Sequence, residues 1–387
     1  MKLPGSNTIK YFSYLLAVII LILVAFNAFV SFQFHKGIAK SVDNPDRWPV
    51  GSYAYDSVIG IDFSSGISAR MPNGSFYVKS HQLGYRIGEQ EDSVAYQPDG
   101  ILSLGCSFTY GDEINSEQTF TQLIADSLKL PAYNYGICSF SYTHALLKAK
   151  KLKDAGVLDK LKPKYVVLGC WNELPNRSRS PFPPMTSGDL PFACAYFAKC
   201  NTGCCVQPPP LNTSYIPEIV ELYRKEGTAL NFKKFNKIFM LVPQYLRDRM
   251  TNTRLQEKLQ ANSADKQVSN FDIYDYYFTD IENIFAAYNS QIIVLLMSVA
   301  LDEQPDEGLI GALAKHTQIM LVDGHKGLEK YRVPLSDYVK IHPQPLAHLA
   351  YAREAVDFIT LLEQEKLQIG STAKKKPKIT GKSTTSY

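Results

Sequence analysis

Ile101-Leu102-Ser103-Leu104-Gly105-Cys106-Ser107-Phe108-Thr109-Tyr110-Gly111 is the stretch on which the fold turns. Its first residues form a short apolar run closed by glycine, the pattern of a strand buried on both faces of a parallel sheet. A little further on, Asn115 can cap a helix, with Gln118 as its capping-box partner. Phe120, Leu123, Ile124 and Leu128 then share one helical face. The unit is strand, tight turn, helix, and it recurs. Ala132–Tyr135 and Tyr165–Leu168 read as strands flanking a helical stretch, Leu146–Leu161. Gln291–Ser298 and Gln318–Val322 read as two more strands, and Pro345–Leu362 as a final amphipathic helix. Strands alternating with helices imply an α/β fold, a three-layer doubly wound parallel sheet.

The rest of the chain is arranged around this unit. Residues 1–10 form a short tail. From Tyr11 to Phe34 there is no charged residue, and the run is longer than the roughly 20 residues that cross a bilayer. It also exceeds the apolar core of about 7–15 residues in a cleavable signal, and bulky Phe32, Gln33 and Phe34 stand where small residues would be cut. An uncleaved single-span anchor is the expectation, with a signal cut near Ala28 as the alternative. Lys2 and Lys10 precede the span and Lys36, Lys40 and Arg47 follow it, so charge counting does not orient it. The short tail before the span and the folded mass after it favour an extracytoplasmic domain.

Residues 35–97, with Pro45, Pro49 and Pro72, read as a linker and extension of irregular structure and short strands. Residues 98–365 form the main domain, interrupted by a Pro-, Ser- and Cys-rich insert or cap over 174–215 and a mostly helical, polar stretch over 216–288. Residues 366–387 hold six lysines and no acid and read as a disordered tail. With 45% apolar and 20% charged residues the chain can bury a core. The net charge of +4 is too small to argue for nucleic acid. That excess lies in the tail, and the remainder is slightly acidic. Nothing in the pattern calls for a metal or cofactor.

The chemistry gathers where strands end. Ser107 sits in a tight turn at the carboxyl end of a parallel strand, which exposes it at the ligand-binding edge of such a sheet. Gly136 and Asn172 follow the next two strands on the same edge. A backbone N–H and a side-chain amide beside a nucleophilic serine can stabilise an oxyanion. His342, just before the last helix, supplies a candidate base, with Asp337 as the carboxylate to orient it.

These segments resemble the SGNH/GDSL hydrolases, in particular a bacterial branch with an N-terminal membrane anchor. Gly105–Gly111 resembles the Gly-Asp-Ser block, with Cys106 in place of Asp. Asn134-Tyr135-Gly136 resembles the glycine block. Gly169-Cys170-Trp171-Asn172-Glu173 resembles the Gly-x-Asn-Asp block with one extra residue and Glu for the last Asp. His342-Pro343-Gln344-Pro345-Leu346-Ala347-His348 resembles the His-Pro-Asn-x-x-Gly-His run. Tyr55–Arg86, ending in Leu83-Gly84-Tyr85-Arg86, resembles the region ahead of the nucleophile. The resemblance covers about Asp56 to Leu362.

It implies a flavodoxin-like SGNH fold, Ser107 as nucleophile, His342 as base, and an oxyanion hole from the Ser107 N–H, Gly136 and Asn172. It also implies a serine esterase or O-acyltransferase acting on ester groups, O-acetyl by expectation, of an envelope or extracellular glycan. The family's acid stands three residues before the histidine, where this chain has Val339. Asp337, Asp323, or a Ser–His dyad with a backbone carbonyl orienting the ring are the alternatives. A non-catalytic glycan-binding or assembly protein of the same fold is the competing function.

His348 is expected to pack or cap, and His325 to be a polar loop residue. Cys194, Cys200, Cys204 and Cys205 are expected to form one or two disulfides pinning the insert, if the domain is extracytoplasmic. Their spacing fits a zinc site poorly. Cys106, Cys138 and Cys170 read as small buried residues at tight turns, with Cys106 as nucleophile the sharper alternative.

Overall fold

Five strands make the central sheet: β1 (Ile101–Gly105), β2 (Ala132–Gly136), β3 (Tyr165–Cys170), β4 (Gln291–Leu296) and β5 (Ile319–Asp323). All neighbours run parallel, in the order β5-β4-β3-β1-β2. Every residue of β1 and β3 is buried, as a strand covered on both faces requires. The computed structural model describes residues 6–43, 53–71, 74–91, 96–181, 194–201, 203–210, 215–261, 268–300, 303–339 and 342–373.

The order fixes the layers. The chain steps from β1 outward to β2, then crosses back to β3 and continues the other way. With right-handed crossovers, the helix after β1 lies on one face and those before β3, β4 and β5 on the other. The contacts agree. Phe120–Leu128 packs on the last helix, Pro345–Ala373, which also carries Gly324–Lys330. Tyr142–Asp154, Asn270–Phe285 and Glu307–Lys315 pack together. The reversal of direction falls between β1 and β3, the switch point where such sheets bind ligands.

Local signals largely decide the element ends. Asn115 and Gln118 form the expected capping box, but on a single 3-10 turn, Ser116–Gln118. Thr119 then caps the α-helix through Gln122 N. The stretch expected as one helix over Leu146–Leu161 is two, Tyr142–Asp154 and Val157–Leu161, because Gly156 between them is left-handed at φ 66°.

Before the sheet, short antiparallel pairs, Tyr53–Asp56 with Gly60–Phe63 and Ser68–Arg70 with Tyr77–Lys79, cover one end of the core. Ile59, Phe63, Met71, Phe76 and Val78 bury themselves against Tyr110, Ile137 and Phe140. A buried ion pair fastens this extension. Lys148 Nζ donates to both carboxylate oxygens of Asp62 at 2.9 and 3.0 Å, and Lys151 Nζ adds a third bond at 2.9 Å.

The N-terminal helix runs from Ser6 to Asp43, past the span expected to end at residue 34. Lys10–Ala39 is long and apolar enough to cross a membrane by length and composition. The Lys-rich segment is helical as far as Ala373, a correction to its reading as wholly disordered, and the rest of it lies outside the described residues. So do Pro45, Pro49, Pro72 and much of the 174–215 insert.

The cysteine expectation is also corrected. No disulfide joins Cys194, Cys200, Cys204 and Cys205, and the Cys205 thiol is hydrogen-bonded with Cys200. The described part of the insert is a hairpin, Tyr196–Cys200 with Gly203–Gln207, in which Cys200 opposes Gly203, Cys204 opposes Lys199 and Cys205 opposes Ala198. No two cysteines are direct cross-strand partners.

Candidate functional site

Ser107 opens a short helix, Ser107–Tyr110, immediately beyond β1. Three strand-end glycines seat this helix. A Cβ at Gly136 would lie 2.3 Å from Tyr110 N, and Cβ atoms at Gly105 and Gly169 would lie 2.2 and 2.0 Å from Thr109 Oγ1. No side chain fits between sheet and helix there. Asn134 stitches the same contact, its Nδ2 donating to Thr109 O at 2.8 Å. Gly111, left-handed at φ 78°, ends the helix. Ser107 is 4% exposed, and among the described residues its hydroxyl has no hydrogen-bond partner.

The next two residues bring carboxylates to His342. Its Nδ1 lies 3.3 Å from Glu113 Oε1, and its Nε2 lies 3.7 Å from Asp112 Oδ2. Gln344 Nε2 holds the other oxygen of Glu113 at 3.3 Å. Phe108 joins the two halves of the site: the His342 ring stands edge-on to it at 5.8 Å between centroids, and the Trp171 ring stacks on it at 4.9 Å.

Glu113 has φ 72°, a left-handed backbone unusual for a side chain of its size. Buried Arg86 stabilises that turn. Its guanidinium donates to Tyr110 O and Gly111 O at 2.5 and 2.7 Å, and to Ile114 O at 2.5 Å. It also lies over the Tyr110 ring at 4.2 Å. One cation therefore grips the backbone on both sides of Asp112 and Glu113.

The carboxylates beside His342 are thus Asp112 and Glu113 and not Asp337. The Asp337 side chain accepts from Ser336 Oγ at 3.0 Å, and its carbonyl from Gln344 N at 2.8 Å. Asp323 caps the helix Gly324–Lys330 through His325 N at 3.1 Å. Of the three expected oxyanion donors, Gly136 and Asn172 do not stand open. Gly136 N–H donates to Asn134 Oδ1 at 2.9 Å. Asn172 Nδ2 donates to Gln304 O at 2.8 Å, and its Oδ1 accepts from Asp306 N at 3.2 Å.

Trp171 presents the opposite case: the residue is 8% exposed, and its indole Nε1 is buried with no acceptor among the described residues. Arg177 covers the ring at 4.7 Å. His348 accepts from Phe120 N at 3.1 Å and stacks on that ring. Burial holds it neutral by lowering its pKa to about 3, so it caps and packs. His325 lies on the helix Gly324–Lys330, 4.0 Å from Glu329.

Burial raises the Asp112 carboxyl above its ordinary range, His342 partly offsetting the shift and the Cys138 thiol donating to it. Burial and Asp112 together push the Cys138 thiol well up, so it stays protonated. A carboxyl raised by folding keeps its proton where the unfolded chain has lost it. Its cost to stability is therefore absent below about pH 4 and grows as pH rises from there toward the folded-state pKa. Asp112→Asn is expected to raise the melting midpoint at pH 7 and to give no gain at pH ~4. Scanning calorimetry at the two pH values checks this; an equal gain at both would show that the charge is not the cause.

No protein-family model matches the sequence, and no curated protein matches it. Among solved structures, the chain is similar to a lipolytic protein of the G-D-S-L family from Veillonella parvula, at 12% identity and a TM-score of 0.33, covering 67% of this chain and 98% of that one. A G-D-S-L family protein from Desulfitobacterium hafniense, described as a putative lipolytic protein, gives 11%, 0.31, 67% and 98%. An acetyl xylan esterase from the rumen bacterium Butyrivibrio proteoclasticus gives 10%, 0.35, 72% and 66%. Superpositions this loose carry no argument about activity, which rests on the geometry above.

Proposed function

We propose that the chain is a membrane-anchored serine esterase or O-acyltransferase of the SGNH type. The observation that carries this reading is the cluster at the switch point of the sheet. Ser107 lies directly beyond β1, and His342 lies across Phe108 with Asp112 and Glu113 on its two nitrogens. In the proposed reaction the Ser107 hydroxyl attacks an ester carbonyl, and His342 Nε2 takes its proton. Glu113 orients the ring through Nδ1–H, and Asp112 stabilises the imidazolium that forms. The alcohol leaves with the proton from His342. Water, or a sugar hydroxyl in the transferase case, then takes the acyl group from Ser107.

The developing oxyanion needs donors. The Ser107 N–H and Trp171 Nε1–H are the candidates, the indole having no acceptor among the described residues; Gly136 and Asn172 serve only if they exchange their present bonds. Those engaged donors are what favours the competing reading, a non-catalytic glycan-binding relative. The resemblance of the motif blocks points to O-acetylated glycan as substrate. The N-terminal helix serves as the anchor, with the domain on the extracytoplasmic side.

A fluorophosphonate probe tests the central claim. The full chain in detergent should be labelled, and Ser107→Ala should not. No labelling of the wild type, or equal labelling of both, overturns the enzyme reading. Acetate release from an acetylated glycan, with and without a sugar acceptor, then separates hydrolysis from transfer.

A further inference from the structure

The N-terminal helix does not stand free along its whole apolar length. From Tyr11 to Phe26 it is exposed all round, whereas Val30, Phe34 and Ile38 are buried. What buries them is a helical pair from the polar stretch, Tyr215–Glu226 and Phe232–Ala261. Asn27 Nδ2 donates to Phe239 O at 3.5 Å, Phe34 stacks on Tyr245 at 4.3 Å, and His35 Nδ1 meets Tyr223 OH at 2.7 Å. Residue numbers on Phe232–Ala261 rise together with those on the N-terminal helix. The beginning of Phe232–Ala261 therefore lies toward the exposed apolar segment, and its end away from it.

That beginning carries an apolar face with nothing of the described chain covering it. Phe232 is 84% exposed, Met240 72% and Leu230, in the preceding turn, 37%. Phe235 and Phe239 are half-buried and in ring contact at 5.8 Å. At helical spacing Phe232, Phe235 and Phe239 form one stripe, adjoining the packed face of Ile238, Val242 and Tyr245. Lysines flank it: Lys233 pairs with Glu226, and Lys237 lies 3.6 Å from Glu218. The tip itself is well fixed, since buried Lys234 donates to the carbonyls of Glu226 and Ala229 at 3.2 and 2.9 Å.

We infer that this tip is a second membrane contact, with Leu230, Phe232 and the adjoining aromatic face seated in the headgroup–acyl boundary of the bilayer that the N-terminal helix crosses. Apolar and aromatic residues on one face with lysines beside them are the chemistry of an interfacial helix, and the lysine stems keep their ammonium groups at the polar level. Position selects lipid as the occupant: the tip lies on the side of the helix contact from which the exposed apolar segment departs. That segment, Tyr11–Phe26, falls short of the roughly 20 residues that span a bilayer. The membrane must therefore reach up to the level of the contact, where the tip is.

This inference rests on reading the N-terminal helix as a membrane span, and the test separates the two. Full-length Phe232→Trp and Val18→Trp variants are placed in phosphatidylcholine vesicles, with or without acyl chains brominated near the headgroup or near the bilayer centre. Wild-type emission is subtracted. The emission added at position 232 should shift to shorter wavelength and fall about twofold with the shallow bromines, as for a ring about 5–10 Å into the boundary, and less with the deep ones. Absence of quenching at 232 overturns the inference. If position 18 is quenched by the deep bromines in the same preparation, the anchor survives that outcome; if it is not, the anchor falls with it.

Discussion

Glu113→Gln is expected to lower ester turnover by about 10⁴-fold, the loss seen when the residue that orients a catalytic histidine is made neutral. Ser107→Ala is expected to lower it by about 10⁶-fold, and Asp337→Asn to leave it within about twofold, as for a surface change away from the reacting groups. The ranking follows from position. Glu113 Oε1 is 3.3 Å from His342 Nδ1, so its loss frees the ring to take the wrong tautomer. Asp337 is engaged by Ser336 and makes no ion pair with His342. Glu113 is also half exposed, so the carboxamide should fold normally, and its loss should appear in kcat rather than in stability. The check is a kcat and KM comparison of the three variants on an activated acetyl ester, with melting midpoints alongside. A large loss in Asp337→Asn with Glu113→Gln near wild type would reverse the assignment.

The largest stability effect is expected at Asp62. Replacing it with Ala leaves the Lys148 ammonium, on a side chain 6% exposed, without its carboxylate, and breaking a buried pair from one side costs about 3–5 kcal/mol. Lys151 does not suffer in the same way, because it is half exposed and also pairs with Asp56. Asp62→Leu combined with Lys148→Met removes both buried charges and should recover most of the loss. Urea titration of the full chain in detergent measures all three. A loss under ~1 kcal/mol for Asp62→Ala would show that water reaches Lys148, since exposed pairs contribute no more than that. The pair also clamps the extension onto the helix Tyr142–Asp154.

The repeat of strand and helix was legible because each element is local: β1 and β3 are short runs buried throughout, β1 ending on Gly105 and β3 one residue past Gly169. Ser107 and His342 were legible for the same reason, each following or preceding an element at a chain position that sheet topology places at one edge. The carboxylate partner was not. Asp112 and Glu113 lie just beyond the short helix that Ser107 opens, and what aims them at His342 is a left-handed residue held by Arg86, which belongs to a distant segment. The quoted Leu83–Arg86 run was the available signal, and it could be read only as likeness. The oxyanion hole was only partly legible because a glycine at a strand end has two uses. Gly136 is needed for the absence of a side chain, so that Tyr110 can approach, while its N–H is satisfied by Asn134. The cysteine cluster misled because closeness in sequence says nothing of cross-strand register.

Arg86 ties several groups of the site to one another. Ser107 and both carboxylates ride on one short piece of backbone, and a single guanidinium grips that piece at three carbonyls. His342 arrives from the far end of the chain. Slippage of the gripped piece therefore does not blunt the machinery part by part; it carries three groups out of register with the fourth together. The protein has the fault behaviour of a circuit with one breaker, working whole or not at all, with the breaker set back from the chemistry it controls.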